Sequence, residues 1–283
     1  MDQPRNLTTE PESTILSSKK TVCVIGAGPS GLVAARELRK EGHRVVLFEQ
    51  KHDVGGQWLF DPDVEKEDPL GRTKFMEVHS SIYNSLRLLS PREIMGYTDF
   101  PFLMKEGLGR DTRRFPGHRE LWLYLKEFSV HFGIRELIRF NTRVEYVGML
   151  EDVDYDLSID RVERNGEVVE EVFDAVVVGN GQYSYPQLPS IKGMKTWKRK
   201  QMHSHVYRVP QPFQNQVVVM VGNSLSAQDI SMELAGVAKE VHISSRSQKN
   251  LMEGFSKVIS KHEKLHLRPQ VLGFFLVVPV LKK

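Results

Sequence analysis

The sequence predicts a doubly wound, Rossmann-type α/β protein built on two βαβ nucleotide-binding units. Residues 21–50 and 217–246 each run from an apolar, β-branched segment through a small-residue turn into an amphipathic helix and a second strand. Between them, the apolar stretch Phe173 to Val178 supplies a further buried strand.

In the first unit, Val22, Val24 and Ile25 form the entering strand. Gly26-Ala27-Gly28-Pro29-Ser30-Gly31 then stands in G-x-G-x-x-G register. The first glycine permits a tight turn, the second lets the backbone approach a pyrophosphate, and the third lets helix and strand pack closely. The spacing predicts a helix over 30–41, with Leu32, Ala35 and Leu38 on one face and Gly42 closing it. Strand Val45 to Phe48 delivers Glu49, 23 residues after Gly26. A carboxylate there accepts hydrogen bonds from both ribose hydroxyls, so the unit reads as an FAD-type site.

The second unit repeats the grammar with different letters. Val217 to Val221 is the strand, and the turn is Gly222-Asn223-Ser224-Leu225-Ser226-Ala227, with Ser224 and Ala227 at the second and third glycine positions. Their Cβ atoms hold the backbone slightly further from a ligand. A helix over 226–238 carries Ala227, Ile230, Leu234 and Val237 on one face, and strand Val241 to Ile243 follows. Position 23 after Gly222 is Ser245, and the next residue is Arg246. Loss of the acid removes a group that repels a 2′-phosphate, and a guanidinium pairs that phosphate bidentately. This unit reads as an NADPH site.

The remaining sequence narrows the setting. With 283 residues there is room for two domains, and a net charge of +3 with scattered basic residues argues against a nucleic-acid partner. Lys198, Arg199 and Lys200 read as a solvated face. The single Cys23 lies inside the first strand, which points to a packed thiol in a reducing, cytoplasmic compartment and excludes a disulfide-cycling reductase. Residues 1–19 are polar and proline-bearing, a disordered tail rather than a secretory signal. A helix is expected over 118–132, with Leu121, Leu125, Phe128 and Phe132 at helical spacing, and a hairpin turn at Asn165-Gly166. The apolar end, 271–283, contains Pro279 and is too short to span a bilayer. His203 and His205 have no further ligands nearby in sequence, so no metal site is expected.

Several segments outside the two turns carry a family resemblance. They are Gly55-Gly56-Gln57-Trp58, Ser85-Leu86-Arg87, Pro91-Arg92-Glu93, Asp99-Phe100-Pro101-Phe102, Phe115-Pro116-Gly117-His118 and Gly179-Asn180-Gly181-Gln182-Tyr183. In order and spacing they resemble a plant flavin-containing monooxygenase of the branch related to the glucosinolate S-oxygenases, over roughly residues 20 to 270. The family's motif F-x-G-x-x-x-H-x-x-x-F/Y falls on Trp197, Arg199, His203 and Tyr207, matching at the last two. Leu89 occupies the place where the family carries a flavin-side asparagine.

The resemblance implies an FAD-binding domain over 20–190, including the Gly55–Trp58 stretch, and an NADPH-binding domain over 191–270. Because the family continues past residue 283, the chain reads as C-terminally truncated and its second domain as incomplete. The implied activity is insertion of one oxygen atom of O2 into a thioether sulfur or amine nitrogen, through a flavin C4a-hydroperoxide. Two alternatives stay open: an uncoupled NADPH oxidase releasing hydrogen peroxide, and a non-catalytic nucleotide-binding or interaction protein. Homo-oligomerisation is also left open, and the substrate is unnamed.

Overall fold

The computed structural model describes residues 19–64, 66–72, 78–149, 157–164, 167–247 and 253–274. Contacts divide the chain into one unit of Met1–Val54 with Ser129–Asn180, and another of Gly55–Phe128 with Gly181–Lys283.

The first unit opens with β1 (Thr21–Ile25), α1 (Pro29–Lys40) and β2 (Arg44–Phe48), within one residue of the expected bounds. Gly42 takes φ +86°, the left-handed turn that ends a helix. Its later strands are β3 (Ile138–Arg139), β4 (Thr142–Val144), β5 (Gly148–Met149), β6 (Leu157–Arg164), β7 (Glu167–Phe173) and β8 (Ala175–Val178). A parallel sheet runs in the order β3-β2-β1-β8. A second, antiparallel sheet joins β4, β5 and β7 to β6. Arg164 pairs with Glu167, bracketing the expected hairpin turn, whose Asn165 and Gly166 lie outside the described residues.

The single strand expected over 173–178 is two: Phe173 closes β7 and Ala175 opens β8. Asp174 makes the corner. Its N–H donates to the Thr21 carbonyl (2.9 Å) and its carboxylate accepts from the Thr21 N–H (2.6 Å). Cys23 sits in β1 between Val46 and Val176 and packs with Phe48 and Phe173. Burial first, and then the Glu171 carboxylate, push its thiol up to about 12.

The second unit contains the one-turn helix α2 (Arg92–Met95) and α3 (His118–His131), whose last turn belongs to the first unit. It continues with β9 (Val217–Val221), α4 (Leu225–Ala235), β10 (Glu240–Ser244), α5 (Glu253–Lys261) and β11 (Leu265–Arg268). The three strands are parallel, in the order β11-β10-β9. Ile230 and Leu234 of α4 and Phe255 of α5 share a buried cluster with Val241, Ile243 and Leu265. On β9 the alternate residues Val217, Val219 and Val221 are exposed, so that strand's other face is open. The α4 helix stops three residues short of the expected Ala238. The N–H groups of Val237 and Ala238 both turn back to the Leu234 carbonyl, closing the last turn just past Gly236.

Residues 55–128 pack with the second unit, whereas the sequence groups them with the first fingerprint. Specific bonds hold them there. The Tyr83 hydroxyl donates to the Asp229 carboxylate of α4, and its ring packs on Tyr207, centroids 5.5 Å apart. Arg208 donates to the carbonyls of Asp61 (2.7 Å) and Ser80 (2.6 Å), and His205 Nε2 meets that of Val78 (2.8 Å). Among the described residues, no helix is long and apolar enough to cross a membrane.

A methyl group on Gly31 would lie 1.8 Å from the Gly26 carbonyl oxygen, whereas one on Gly222 would meet nothing within 4 Å. Gly31→Ala is therefore expected to cost more than about 4 kcal/mol, and Gly222→Ala, which bears only the cost of φ +111°, about 1–2 kcal/mol. Urea unfolding followed by circular dichroism checks the ranking. Cys23 is expected to resist alkylation in the folded chain between pH 7 and 10, while the unfolded chain accelerates about 30-fold over that range. Mass spectrometry after iodoacetamide, with and without denaturant, reads the difference.

Candidate functional site

In the first unit, β1 ends at Gly26, which takes φ +96° and donates its N–H to the Phe48 carbonyl (2.8 Å). Ala27 is buried, and Gly28 caps α1 in an extended conformation, its carbonyl accepting from Leu32 N–H (3.0 Å). Pro29 begins the helix, which suits a position whose N–H has no intrahelical partner, and Ser30 is exposed. The last turn carries Arg39 and Lys40 and the first turn no acid, so the positive end of the helix dipole is left uncompensated at the turn. Close backbone contact fixes the arrangement. A Cβ on Gly26 would fall 2.6 Å from the Gly179 carbonyl oxygen. Gly179, whose N–H donates to the Ile25 carbonyl (2.8 Å), thus completes the crossing.

Glu49 lies at the mouth of this turn and is only 6% exposed. Its Oε2 accepts from the Ala27 N–H (2.7 Å) and its Oε1 from the Lys51 N–H (2.9 Å). Burial raises its pKa, opposed by those two backbone N–H groups. These residues fit a dinucleotide. A carboxylate brought to the turn, beside a helix N-terminus approached by glycine backbone, is the donor and acceptor set for a pyrophosphate joined to a free ribose.

The second unit repeats three backbone bonds of this frame, the third being Gln228 N–H to the Ser224 carbonyl (3.0 Å), as Leu32 donates to Gly28. Gly222 takes φ +111° and donates to the Ser244 carbonyl (2.9 Å), as Gly26 does to Phe48. Ser245 N–H donates to the Arg268 carbonyl (3.1 Å), as Glu49 N–H does to Arg139 (3.0 Å). Ser245 is therefore the structural counterpart of Glu49, as counting from the first glycine predicts. Asn223 Nδ2 reaches the Ser247 carbonyl (3.4 Å), and its own carbonyl accepts from Gln228 Nε2 (2.8 Å). Ser224 caps α4 without a side-chain bond, leaving the helix amides available. Gly222, Ser224, Leu225 and Ser226 are exposed and Ala227 is partly so. Arg246 is exposed and makes no ion pair among the described residues. An open turn with a guanidinium next to the ribose position fits a 2′-phosphorylated dinucleotide.

The Gly55–Trp58 turn belongs to the second unit. Gly55 takes φ +126° and Gly56 +56°, and Trp58 N–H closes on the Gly55 carbonyl (3.0 Å). A Cβ on Gly55 would meet Trp122 at 2.9 Å. Gln57 is exposed, its carbonyl accepting from Ser80 Oγ (2.8 Å). Trp58 lines a cavity of about 710 Å³, together with Asn84, Arg87, Asp111, His118 and Trp122. Leu89 is 65% exposed and is not among the lining residues.

Charged side chains in and behind this wall explain the sequence blocks around it. Arg87 Nη1 pairs with Asp111 (3.1 Å), which also accepts from Arg113 Nε (2.8 Å) and Gly117 N–H (2.9 Å). The Arg113 guanidinium holds Asp111 well below the usual carboxylate range. Arg92 Nη2 (3.2 Å) and Arg110 Nη2 (2.9 Å) converge on buried Glu120. The blocks containing Arg87 and Arg92 are therefore tied to the loop before His118. Burial lowers the His118 pKa, and among the described residues its Nδ1 has no hydrogen-bond partner. Asn84, Asp111 and Trp122 were not singled out from sequence, because they meet only in three dimensions.

The histidine motif resolves into local packing. His203 Nδ1 accepts from the His205 N–H (3.1 Å), capping the turn that places Tyr207 against Glu233. Trp197 packs on Phe274, with ring centroids 5.3 Å apart.

The chain matches the family model of flavin-binding monooxygenase-like proteins over residues 19–263. It is 64% identical over 269 residues to the flavin-containing monooxygenase FMO GS-OX-like 8 of Arabidopsis thaliana, covering 93% of this chain and 57% of that protein. A second relative from that plant, FMO GS-OX-like 9, is 65% identical over 263 residues, covering 90% of this chain and 56% of that one. Among solved structures, S-allyl-L-cysteine S-oxygenase from Allium sativum superposes with a TM-score of 0.81 at 41% identity, covering 91% of this chain and 57% of that one. The chain thus spans little more than half the length of these relatives. With two glycine turns of matched geometry and a family model spanning both, this chain belongs to the flavin-binding monooxygenase-like family.

Proposed function

We propose that the chain holds FAD on the turn Gly26–Gly31 and NADPH on the turn Gly222–Ala227. In this reading it serves an enzyme that transfers oxygen from O2 to a soft nucleophile, thioether sulfur ahead of amine nitrogen. One observation carries the assignment of the cofactors. Two turns share a hydrogen-bond frame, yet one offers the ribose a buried carboxylate and the other Ser245 followed by an exposed guanidinium. The preference for sulfur rests on likeness to the Allium sativum S-oxygenase.

Bound and reduced, FAD supplies the oxygen-activating chemistry. The chain's own residues position and shield. The first amides of α1 would face the pyrophosphate, and Glu49 would accept from the ribose hydroxyls on the lone pairs that its bonds to Ala27 and Lys51 leave over. Those hydroxyl donors favour the ionised carboxylate, against the burial that raises its pKa. Gly55, Gly56, Gln57 and Trp58 are assigned to the flavin, and Trp58 and Trp122 give the cavity beside them two aromatic walls. Arg246 selects the 2′-phosphate. A cytoplasmic setting accords with the buried thiol of Cys23.

Leu89 favours a second reading, NADPH oxidation that releases hydrogen peroxide. An exposed leucine offers no amide at the position where the resemblance implies a flavin-side asparagine, and in this reading NADPH consumption ends in hydrogen peroxide.

Arg246→Ala is expected to weaken NADPH binding by roughly 10- to 100-fold, the worth of a charge-assisted pair, while leaving NADH unchanged. Fluorescence titration with both nucleotides measures it, and equal losses would reject the assignment of the second turn. Purified chain is expected to retain yellow flavin at close to one equivalent, with Glu49→Ala colourless. Peroxide formed per NADPH consumed, with a thioether present, separates the two readings: near zero supports oxygen transfer, near one supports the leak.

A further inference from the structure

We infer that the sheet of the second unit carries a site for one borderline divalent transition cation of the zinc and copper class, held by Glu240, His242 and His266. The inference is independent of the nucleotide sites. Glu240 and His242 are two apart on β10 and so project from the same face. The parallel register places His266 of β11 directly opposite His242. Their rings stack with centroids 4.9 Å apart and planes 23° from parallel. His242 Nε2 is 3.1 Å from Glu240 Oε2. One donor atom from each of the three lies within 4.8 Å of the others.

Two imidazoles with one carboxylate suit a borderline cation and offer too few oxygens for magnesium or calcium. Metal–ligand bonds of about 2.0–2.2 Å place neighbouring donors roughly 3.4 Å apart, so closure needs small side-chain rotations and no backbone movement. All three side chains are partly exposed, leaving further coordination positions for water. The strands supply rigid spacing, which is why the cluster is invisible in sequence: His242 and His266 are separated by a helix and match no ligand motif.

The site contains its own competitor. Arg268 Nε donates to His242 Nδ1 (3.1 Å), which leaves Nε2 to carry the proton shared with Glu240. Ligation through Nε2 moves that proton to Nδ1, where it opposes the Arg268 donor. The incoming cation must therefore displace the guanidinium and take over the charge it provided.

Isothermal titration of the full chain with zinc chloride tests this. One strong site is expected, weakened roughly 10- to 100-fold or more by His242→Asn or by His266→Asn, and less by Glu240→Gln. Arg268→Gln is expected to tighten it. His131→Asn, at an exposed histidine elsewhere, is expected to leave it unchanged, and magnesium chloride to give no binding heat. The unfolding midpoint without metal, measured for every variant, shows that the fold persists, and zinc should raise that of the wild type but not of His266→Asn. Zinc affinity indifferent to both histidine substitutions, or several weak equivalents spread over the chain, would overturn the site, as would equal binding of magnesium.

Discussion

Backbone meets backbone at one crossing, and the first nucleotide turn depends on it. Gly26, Gly31 and Gly179 approach so closely that no side chain fits between them. This contact lays the start of α1 against the end of β1, so the helix amides and dipole face the mouth of the turn. It also brings the Ala27 N–H within 2.7 Å of the carboxylate that β2 carries. Sterics thus fix the relative placement of the helix N-terminus and the carboxylate, the two groups that the proposed FAD site requires.

The second turn shows what survives when that crossing is relaxed. Its register with the following strand is the same, each pairing residues 23 apart. Among the described residues, however, β9 lacks the second neighbour that β8 gives β1, Gly222 has open space around it and the mouth is exposed. Charge changes with shape. A buried carboxylate gives way to a small hydroxyl and an exposed arginine, which reverses the sign of the field at the ribose.

Cavity and motif blocks are related through buried ions. Glu120 receives two arginines and Asp111 receives two more, and their backbone bonds pin the loop that leads to His118. Removing Arg92 or Arg110 would leave the buried Glu120 carboxylate undercompensated, whereas the Asp111 pairs are partly exposed and cost less to break. The motif blocks with Arg87 and Arg92 mark places where a guanidinium spans some 20 to 30 residues of chain.

Local order was legible in the sequence. Periodicity and glycine spacing located β1, α1, β2, β9 and β10 within a residue, and the interval of 23 placed Glu49 and Ser245 at equivalent positions, because strand, turn and helix lengths are set by neighbours in the chain. The break at Asp174, the early end of α4 and the packing of residues 55–128 with the second unit were decided by tertiary structure. Each rests on a partner far along the chain or on a turn whose bonds the apolar pattern does not encode: Thr21 for Asp174, the Leu234 carbonyl beyond Gly236, and Asp229 and Arg208 for the segment that bears Tyr83 and Asp61. So too for the pairing of His242 with His266, since register between parallel strands depends on the crossover that joins them.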